Sequence, residues 1–189
     1  MRLPRRQFLR LAASALTLGA ARAEGSKYVL KISGATVNDA LHLFMKNYAA
    51  AIERDSGGLI GSEVYPASQL GSIPRQIEGA QFGAIQAVNL PPEFFVGVDE
   101  RYEIMTAPGL VDSMEHGQRL AADPAVMKLM LGLGANKGLH GVGLYIVQPS
   151  SVISKTPIRR LADFKGKKIR VFASKFQTTA LERLSVQRR

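Results

Sequence analysis

The stretch of sequence that decides the fold runs from residue 59 to residue 88 and reads LIGSEVYPASQLGSIPRQIEGAQFGAIQAV. Its first seven residues, 59–65, are rich in apolar and β-branched side chains, which predicts a strand that a proline ends. A helix over 73–82 is predicted next, because it opens with proline in its first turn and closes on glycine. Residues 84–88 then predict a short buried strand. Strand, helix and strand in this order indicate a mostly parallel sheet.

The segment upstream extends the same alternation. Residues 27–33 alternate apolar and polar side chains, which predicts another strand. Apolar residues at helical spacing over 41–52 predict a helix, which Thr36 or Asn38 is expected to cap. Ser56-Gly57-Gly58 ends that helix. The resulting fold class is α/β.

The segment downstream continues with further helices and strands. We predict helices at Ser113–Ala122, Pro124–Gly134 and Lys175–Val186, a buried strand at Leu139–Val147 and a strand at Lys168–Phe172. Gln148-Pro149 interrupts the pattern and is a plausible crossover between domains.

The positive charge is concentrated at the two ends of the chain. The 189 residues contain 25 Lys and Arg against 15 Asp and Glu, a formal net charge of +10. Residues 1–23 contribute +5, residues 24–154 contribute −4 and residues 155–189 contribute +9. Because a nucleic-acid-binding face usually spreads its charge over one folded surface, this distribution weakens that interpretation.

Several classes of chemistry lack the residues that they need. The chain has no cysteine, which excludes disulfides, thiol catalysis and Cys-based metal sites. His42, His116 and His140 are scattered singly, so we expect no metal site. No serine lies in a Gly-x-Ser-x-Gly context. We therefore predict no catalytic residue, no cofactor and no enzyme activity.

The amino terminus reads as an export signal. Arg5-Arg6 lies in a twin-arginine-like start, an apolar stretch over 11–20 follows, and Ala21-Arg22-Ala23 forms a small-x-small cleavage site. The apolar stretch is about half the ~20 residues needed to span a bilayer. We expect residues 1–23 to be a signal peptide cleaved after about Ala23, and the mature chain to be periplasmic.

Several motifs together are similar to those of one protein family. They are Tyr65-Pro66-Ala67-Ser68-Gln69-Leu70-Gly71, the glycine-closed helix and strand at 77–85, Ser56-Gly57-Gly58, Ile104–Leu110 with Ser113–His116, Lys155–Ile158 and Leu161–Val171. In this order they resemble the solute-binding subunits of TRAP (tripartite ATP-independent periplasmic) transporters, the dicarboxylate-binding DctP-like family. The resemblance extends from about residue 27 to residue 184.

The resemblance implies a periplasmic binding protein-like clamshell with a ligand between two lobes. Residues 24–147 would form the first lobe, and residues 148–189 the crossover and the start of the second lobe. Family members continue well beyond this point. We therefore expect the chain to be truncated at its carboxyl end, with the second lobe incomplete.

The same resemblance assigns the substrate-binding residues. It implies that Arg170, at the end of the Lys-Ile-Arg strand, grips a substrate carboxylate, and a guanidinium suits that role through bidentate pairing. Asn89, Gly34 and Ser72 follow strand ends and are expected near the ligand. For Asn89, capping of the next turn is an equal alternative.

One family feature is missing from this chain. The second arginine that many members carry in a Gly-x-Arg segment has no counterpart in Val147–Ser151. Gln148, Ser150 or Ser151 could supply neutral hydrogen bonds instead. The sequence therefore disfavours a ligand that needs two cationic contacts.

Three functions are open from the sequence. The first is capture of a small carboxylate and its delivery to the membrane permease subunits of a TRAP transporter. The second is nucleic-acid binding through residues 155–189, which the resemblance disfavours. The third is a non-functional remnant, insoluble because apolar faces at Ile169, Val171, Leu181 and Leu184 would be exposed.

Overall fold

A three-stranded parallel sheet forms the centre of the molecule. The computed structural model describes residues 26–147, 151–171 and 174–188, so the expected signal peptide and the Gln148-Pro149 crossover lie outside the described residues. The strands are β1 (Tyr28–Gly34), β2 (Ile60–Tyr65) and β3 (Ala87–Asn89), in the order β2-β1-β3. In β1, Tyr28 pairs with Ile60 of β2 and Gly34 pairs with Asn89 of β3. All three strands therefore end at the same edge of the sheet.

Two helices connect these strands, as the sequence predicts. Helix α1 (Ala40–Asp55) joins β1 to β2, and α2 (Ile73–Gln81) joins β2 to β3. The predicted capping of α1 by Thr36 or Asn38 is wrong. Asp39 is the cap, since its carboxylate accepts a hydrogen bond of 2.9 Å from the backbone N–H of His42.

The core lies between β1 and α1. Ile32, Met45 and Ala49 are buried, with Met45 only 1% exposed. Four half-buried side chains pack against them: Leu30, Tyr48, Val64 and Ala87. Burial of a side chain the size of Met45 or Ile32 contributes about 1.5–3 kcal/mol to folding. The sheet and α1 thus share one hydrophobic core.

A helical segment follows β3. It comprises 3₁₀ helices at Pro92–Phe95, Glu100–Thr106 and Ala135–Lys137 and the α-helices α3 (Met114–Ala122) and α4 (Pro124–Gly132). Ser113 and Asp123 cap α3 and α4 through their side chains. The two predicted α-helices are confirmed, whereas the sequence did not predict the 3₁₀ helices.

The predicted buried strand at Leu139–Val147 is wrong. These residues form no strand, and Val142 is 78% exposed. A strand needs a partner along its length. The backbone N–H of Gly141 instead donates to the carbonyl of Leu131, at 3.0 Å. Apolar content alone therefore misled the prediction.

A second, smaller sheet lies at the carboxyl end of the described residues. Strand β4 (Lys168–Ile169) runs parallel to β5 (Gln187–Arg188), after a 3₁₀ helix at Leu161–Phe164, and α5 (Lys175–Arg183) connects them. β4 is shorter than predicted, and Phe172 lies outside the described residues. α5 also ends earlier than the predicted Val186, because the chain turns at Ser185, whose φ is 55°.

The expected exposure of the apolar face in this second sheet is wrong. Ile169, Val171, Leu181 and Leu184 are all half-buried. Ile169, Val171 and Leu181 line one small space together with Val186, which is only 8% exposed. The strand and the helix therefore cover each other.

No helix in the described part of the chain is both long enough and apolar enough to cross a membrane.

Candidate ligand-binding site

The carboxyl edge of the three-stranded sheet brings two of the predicted residues together. Gly34 ends β1, Asn89 ends β3, and the two are directly paired in the register of the strands. Ser72, which precedes α2, follows the turn after β2. In open parallel sheets this edge is where ligands bind. The structure thus places three of the four predicted site residues at or near one edge.

Gly34 allows a close approach between β1 and α1. A Cβ atom on residue 34 would lie 2.8 Å from Cε and 2.9 Å from Sδ of Met45. The carbonyl of Gly34 also accepts a 2.9 Å hydrogen bond from the N–H of Ser68. A larger residue here would displace the end of the buried Met45 side chain, so glycine suits the packing whatever its relation to a ligand.

Ser72 presents an unused hydroxyl group. Its side chain is exposed and makes no capping hydrogen bond to α2. Its backbone carbonyl accepts from the N–H of Gln76 at 2.9 Å, which starts the helix. The role of Ser72 at a ligand stays a prediction, and its hydroxyl group does not serve as the cap of α2.

The turn between β2 and α2 rests on a buried amide that the sequence analysis missed. Gln76 is fully buried; it accepts from the Ser33 hydroxyl at 2.7 Å and donates to the carbonyl of Gly71 at 2.8 Å. Both partners keep the amide satisfied, and the turn is tied to the end of β1. Helical spacing could have predicted the burial of Gln76, because it puts residue 76 on the same face as Ile73 and Ala80.

Asn89 is held by neighbouring protein groups on both sides of its amide. Its Nδ2 donates to the carbonyl of Leu41 at 3.1 Å, and its Oδ1 accepts from the Tyr145 hydroxyl at 2.8 Å. The ring of Tyr145 stacks on Phe44, with ring centroids 4.5 Å apart. The sequence analysis missed Tyr145 and Phe44, because a strand at Leu139–Val147 would not have placed Tyr145 against α1.

Arg170 lies directly after β4, in the second region of the molecule (residues 151–171 and 174–188). Gly34, Ser72 and Asn89 lie in the first region (residues 26–147). The Arg170 side chain is exposed and forms no ion pair with any described residue. The nearby Asp163 is already engaged, since it accepts from the backbone N–H groups of Arg159 and Arg160 and pairs with the Arg160 Nε at 3.2 Å. Those hydrogen bonds lower the pKa of Asp163. Arg170 is therefore available for an external anion.

The segment after Arg170 is tied to the first region by a buried carboxylate. Glu103, 8% exposed, accepts hydrogen bonds from the backbone N–H groups of Lys175 and Phe176 at the start of α5. Ser174, 2% exposed, lies 2.8 Å from the hydroxyl of Thr106. A carboxylate at a helix N-terminus is favoured by the helix dipole. These contacts, which the sequence analysis missed, join the two regions.

An open depression lies between residues 152–160 and the 3₁₀ helix Leu161–Phe164. Its volume is about 490 Å³, and its lining includes Thr156, Ile158, Arg159, Arg160, Leu161 and Phe164. The lining combines apolar side chains with two guanidinium groups. It does not include Gly34, Ser72, Asn89 or Arg170.

Within the described ranges, no group of three His, Asp or Glu side chains could hold a metal ion. His116 Nδ1, in α3, lies 3.0 Å from a carboxylate oxygen of Asp112, which precedes that helix. Among the described residues, no hydrogen bond or ion pair joins Arg170 to the edge formed by Gly34 and Asn89. The predicted residues therefore divide between the two regions.

Comparisons with known proteins identify the family. The model of the bacterial extracellular solute-binding protein family 7 (DctP) matches residues 33–188. A solute-binding protein from Albidiferax ferrireducens is 32% identical over 177 residues, which are 88% of this chain and 51% of that protein. The uncharacterized protein YiiZ of Salmonella typhimurium is 29% identical over 184 residues, or 95% of this chain and 54% of that protein. The chain thus spans about half the length of these curated relatives.

Solved structures confirm the fold. A TRAP periplasmic solute-binding protein from Xanthobacter autotrophicus, with bound β-D-galacturonate, has a TM-score of 0.77 and 25% identity, over 85% of this chain and 54% of that one. One from Anaerococcus prevotii, with bound D-glucuronate, has a TM-score of 0.76 and 22% identity, over 86% and 53%. The predicted α/β fold of a periplasmic binding protein is confirmed. The chain belongs to the bacterial extracellular solute-binding protein family 7, the DctP-like solute-binding proteins of TRAP transporters.

Proposed function

We propose that this chain captures a small carboxylate outside the cytoplasm for import by a TRAP transporter. The family is one of transport proteins, so the proposed mechanism is binding and closure of two lobes, without bond chemistry. One observation carries the proposal: Arg170 follows β4 with an exposed side chain and no ion pair among the described residues. By resemblance to the family, it is the residue that grips the ligand carboxylate.

The chemistry of Arg170 suits that role. A guanidinium group donates two parallel hydrogen bonds to a carboxylate and so sets its orientation as well as its affinity. Lys168 is exposed next to it, and the nearest acidic residue in sequence, Asp163, is occupied by Arg159 and Arg160. The local charge therefore favours an anionic ligand.

The ligands of related structures support a carboxylate. The proteins from Xanthobacter autotrophicus and Anaerococcus prevotii hold hexuronates, and one from Polaromonas, with 22% identity and a TM-score of 0.73, holds D-erythronate. Each of these ligands has one carboxylate and several hydroxyl groups. We propose the same general class for this chain.

The proposal extends to location, organisation and partners. Residues 1–23 would direct export and be removed after about Ala23, which would leave the protein in the periplasm. Residues 24–147 would belong to the first lobe, and residues 148–189 to the crossover and the second lobe. The partners would be the membrane permease subunits that receive the ligand.

A calorimetric titration tests the proposal. Purified protein is titrated with galacturonate and with D-erythronate, and the titration is repeated with Arg170→Ala. Loss of a charge-assisted, bidentate contact should weaken binding by about 10-fold to 150-fold. Arg183→Ala is the matched control, because Arg183 is exposed in the same region and should leave affinity unchanged.

Two results would contradict the proposal. One is the absence of binding to any organic acid by folded protein. The other is an equal affinity for the Arg170→Ala and Arg183→Ala variants. A DNA duplex titrated in parallel should show no binding, although residues 155–189 carry a charge of +9.

A further inference from the structure

Two consecutive hydrogen bonds lie at the carboxyl edge of the three-stranded sheet. One joins the Tyr145 hydroxyl to Oδ1 of Asn89, at 2.8 Å, and the other joins Nδ2 of Asn89 to the carbonyl of Leu41, at 3.1 Å. Asn89 ends β3, and Leu41 lies in the first turn of α1. These hydrogen bonds therefore connect β3, α1 and the 139–147 segment at the sheet edge where ligands bind in open parallel sheets.

The direction of these bonds follows from the Leu41 carbonyl. A backbone carbonyl can only accept, so the side of the Asn89 amide that faces Leu41 must be its NH₂ group. The opposite side, which faces Tyr145, is then the amide oxygen. That oxygen can only accept as well, so Tyr145 must donate its single hydroxyl proton to Asn89.

Tyr145 is consequently left with lone pairs and no free proton. Its ring is fixed by stacking on Phe44, with an interplanar angle of 25°. Burial, and secondarily the negative charge of Asp39, raise the pKa of Tyr145 against the opposing effect of its bond to Asn89. The hydroxyl thus stays neutral at physiological pH and can only accept from a ligand.

We infer that Tyr145 is a specificity-determining residue, whose acceptor-only hydroxyl oxygen favours a ligand that places a hydroxyl group against it. A ligand hydroxyl can donate to the acceptor-only Tyr145 oxygen, whereas a carboxylate there would meet lone pairs. The inference rests on the proposed function, in which Arg170 binds the one carboxylate.

Charge at the same edge also disfavours a second carboxylate. Asp39 caps α1 beside this site, and its pKa is lowered, chiefly by a hydrogen bond from the Thr36 side chain. Asp39 is therefore ionised at neutral pH, and its charge reaches Tyr145. A ligand that brought a second negative charge to this edge would be repelled.

Three four-carbon acids test the inference by calorimetric titration: D-erythronate, butyrate and succinate. They share a chain length and differ in hydroxyl groups and in charge. The wild-type protein should bind D-erythronate at least about tenfold more tightly than butyrate or succinate, because each lost hydrogen bond weakens binding about threefold to tenfold. This comparison needs no variant.

Tyr145→Phe assigns the selectivity to one hydroxyl. It should weaken binding of D-erythronate about threefold to tenfold and leave binding of butyrate unchanged. Tyr102→Phe is the matched control: Tyr102 is also half-buried and donates to a carbonyl, that of Leu133 at 2.7 Å, away from the edge. It should leave both affinities unchanged.

The outcomes separate the two proposals. If none of the acids, nor galacturonate, binds, the proposed function and the inference both fail. If D-erythronate, butyrate and succinate bind equally, or if Tyr145→Phe weakens D-erythronate and butyrate by the same factor, the inference fails and carboxylate binding stands.

Discussion

The two parallel sheets of this molecule differ in how they are supported. The first pairs β1 with β2 along six residues and packs on α1 around Ile32 and Met45. The second has two residue pairs, and its helix α5 begins on the carboxylate of Glu103, which belongs to the first region. The first region thus contains the larger core, whereas the second has a small apolar contact of its own and is joined to the first by polar contacts.

This difference separates two tasks that one ligand would require. Arg170 lies in the second region, whereas Asn89 and Tyr145 lie in the first region. A carboxylate would then bind to the region with the smaller sheet, and a ligand hydroxyl group would bind to the region with the larger sheet and core. The following predictions test this division, beginning with the largest expected effect.

Removal of the central core side chain should destabilise the whole first region. Met45→Ala deletes a side chain that is 1% exposed and should lower the free energy of unfolding by about 2–5 kcal/mol. Leu43→Ala, in the same helix but at a site that is 55% exposed, should cost less than about 0.5 kcal/mol. Urea unfolding followed by circular dichroism measures both. Equal losses would show that the described core does not carry the stability.

Removal of the polar contact should loosen only the second region. Glu103→Ala leaves the N–H groups of Lys175 and Phe176 without their acceptor, so their hydrogen exchange should accelerate about 10-fold to 100-fold. Exchange in β1 should be unchanged, as should exchange throughout the Glu100→Ala control, since Glu100 is exposed on the same 3₁₀ helix. Equal acceleration in β1 and α5 would mean that the two regions open together.

Glu93 should make a small, pH-dependent contribution within the first region. Burial raises the pKa of Glu93, partly offset by a backbone hydrogen bond. The folded state therefore holds the proton more tightly than the unfolded state, so this group adds stability as pH falls through its folded pKa and lowers stability at neutral pH. Glu93→Gln should raise the Tm by about 1–2 °C at pH 7, with no gain near pH 4.

Differential scanning calorimetry at the two pH values checks this prediction. Glu78→Gln is the control, since Glu78 is an exposed helical glutamate and should change the Tm little at either pH. A lower Tm for Glu93→Gln at pH 7 would contradict the proposed cost of the buried carboxylate.

Local signals were sufficient to predict the strands of the three-stranded sheet and the two helices between them. Proline, glycine and hydrophobic periodicity located both helices between the strands, and α2 was predicted to within one residue of its observed end at Gln81. The cap of α1 was mistaken because Thr36, Asn38 and Asp39 are all capping residue types within four positions. The strand predicted at Leu139–Val147 failed because pairing depends on a partner strand, which a local pattern does not show.

The sequence allowed the position of two site residues to be predicted, but not the hydrogen bonds that hold the site. Strand ends located Gly34 and Asn89 correctly at one edge, because parallel strands end together. The bond from Tyr145 to Asn89 joins residues 56 positions apart, and the one from Lys175 to Glu103 joins residues 72 apart. Such long-range contacts depend on tertiary packing, and no spacing rule shows them.

The most direct test of the central claim is NMR of the arginine side chains in ¹⁵N-labelled protein during titration with galacturonate. The Nε–H signal of Arg170, assigned through its absence in Arg170→Lys, should shift and saturate with the affinity that calorimetry measures. The Nε–H signal of Arg183 should stay in place. If galacturonate binds and the Arg170 signal does not move, or if neither galacturonate nor any other organic acid binds, the assignment of this chain as a carboxylate receptor that binds its ligand through Arg170 is wrong.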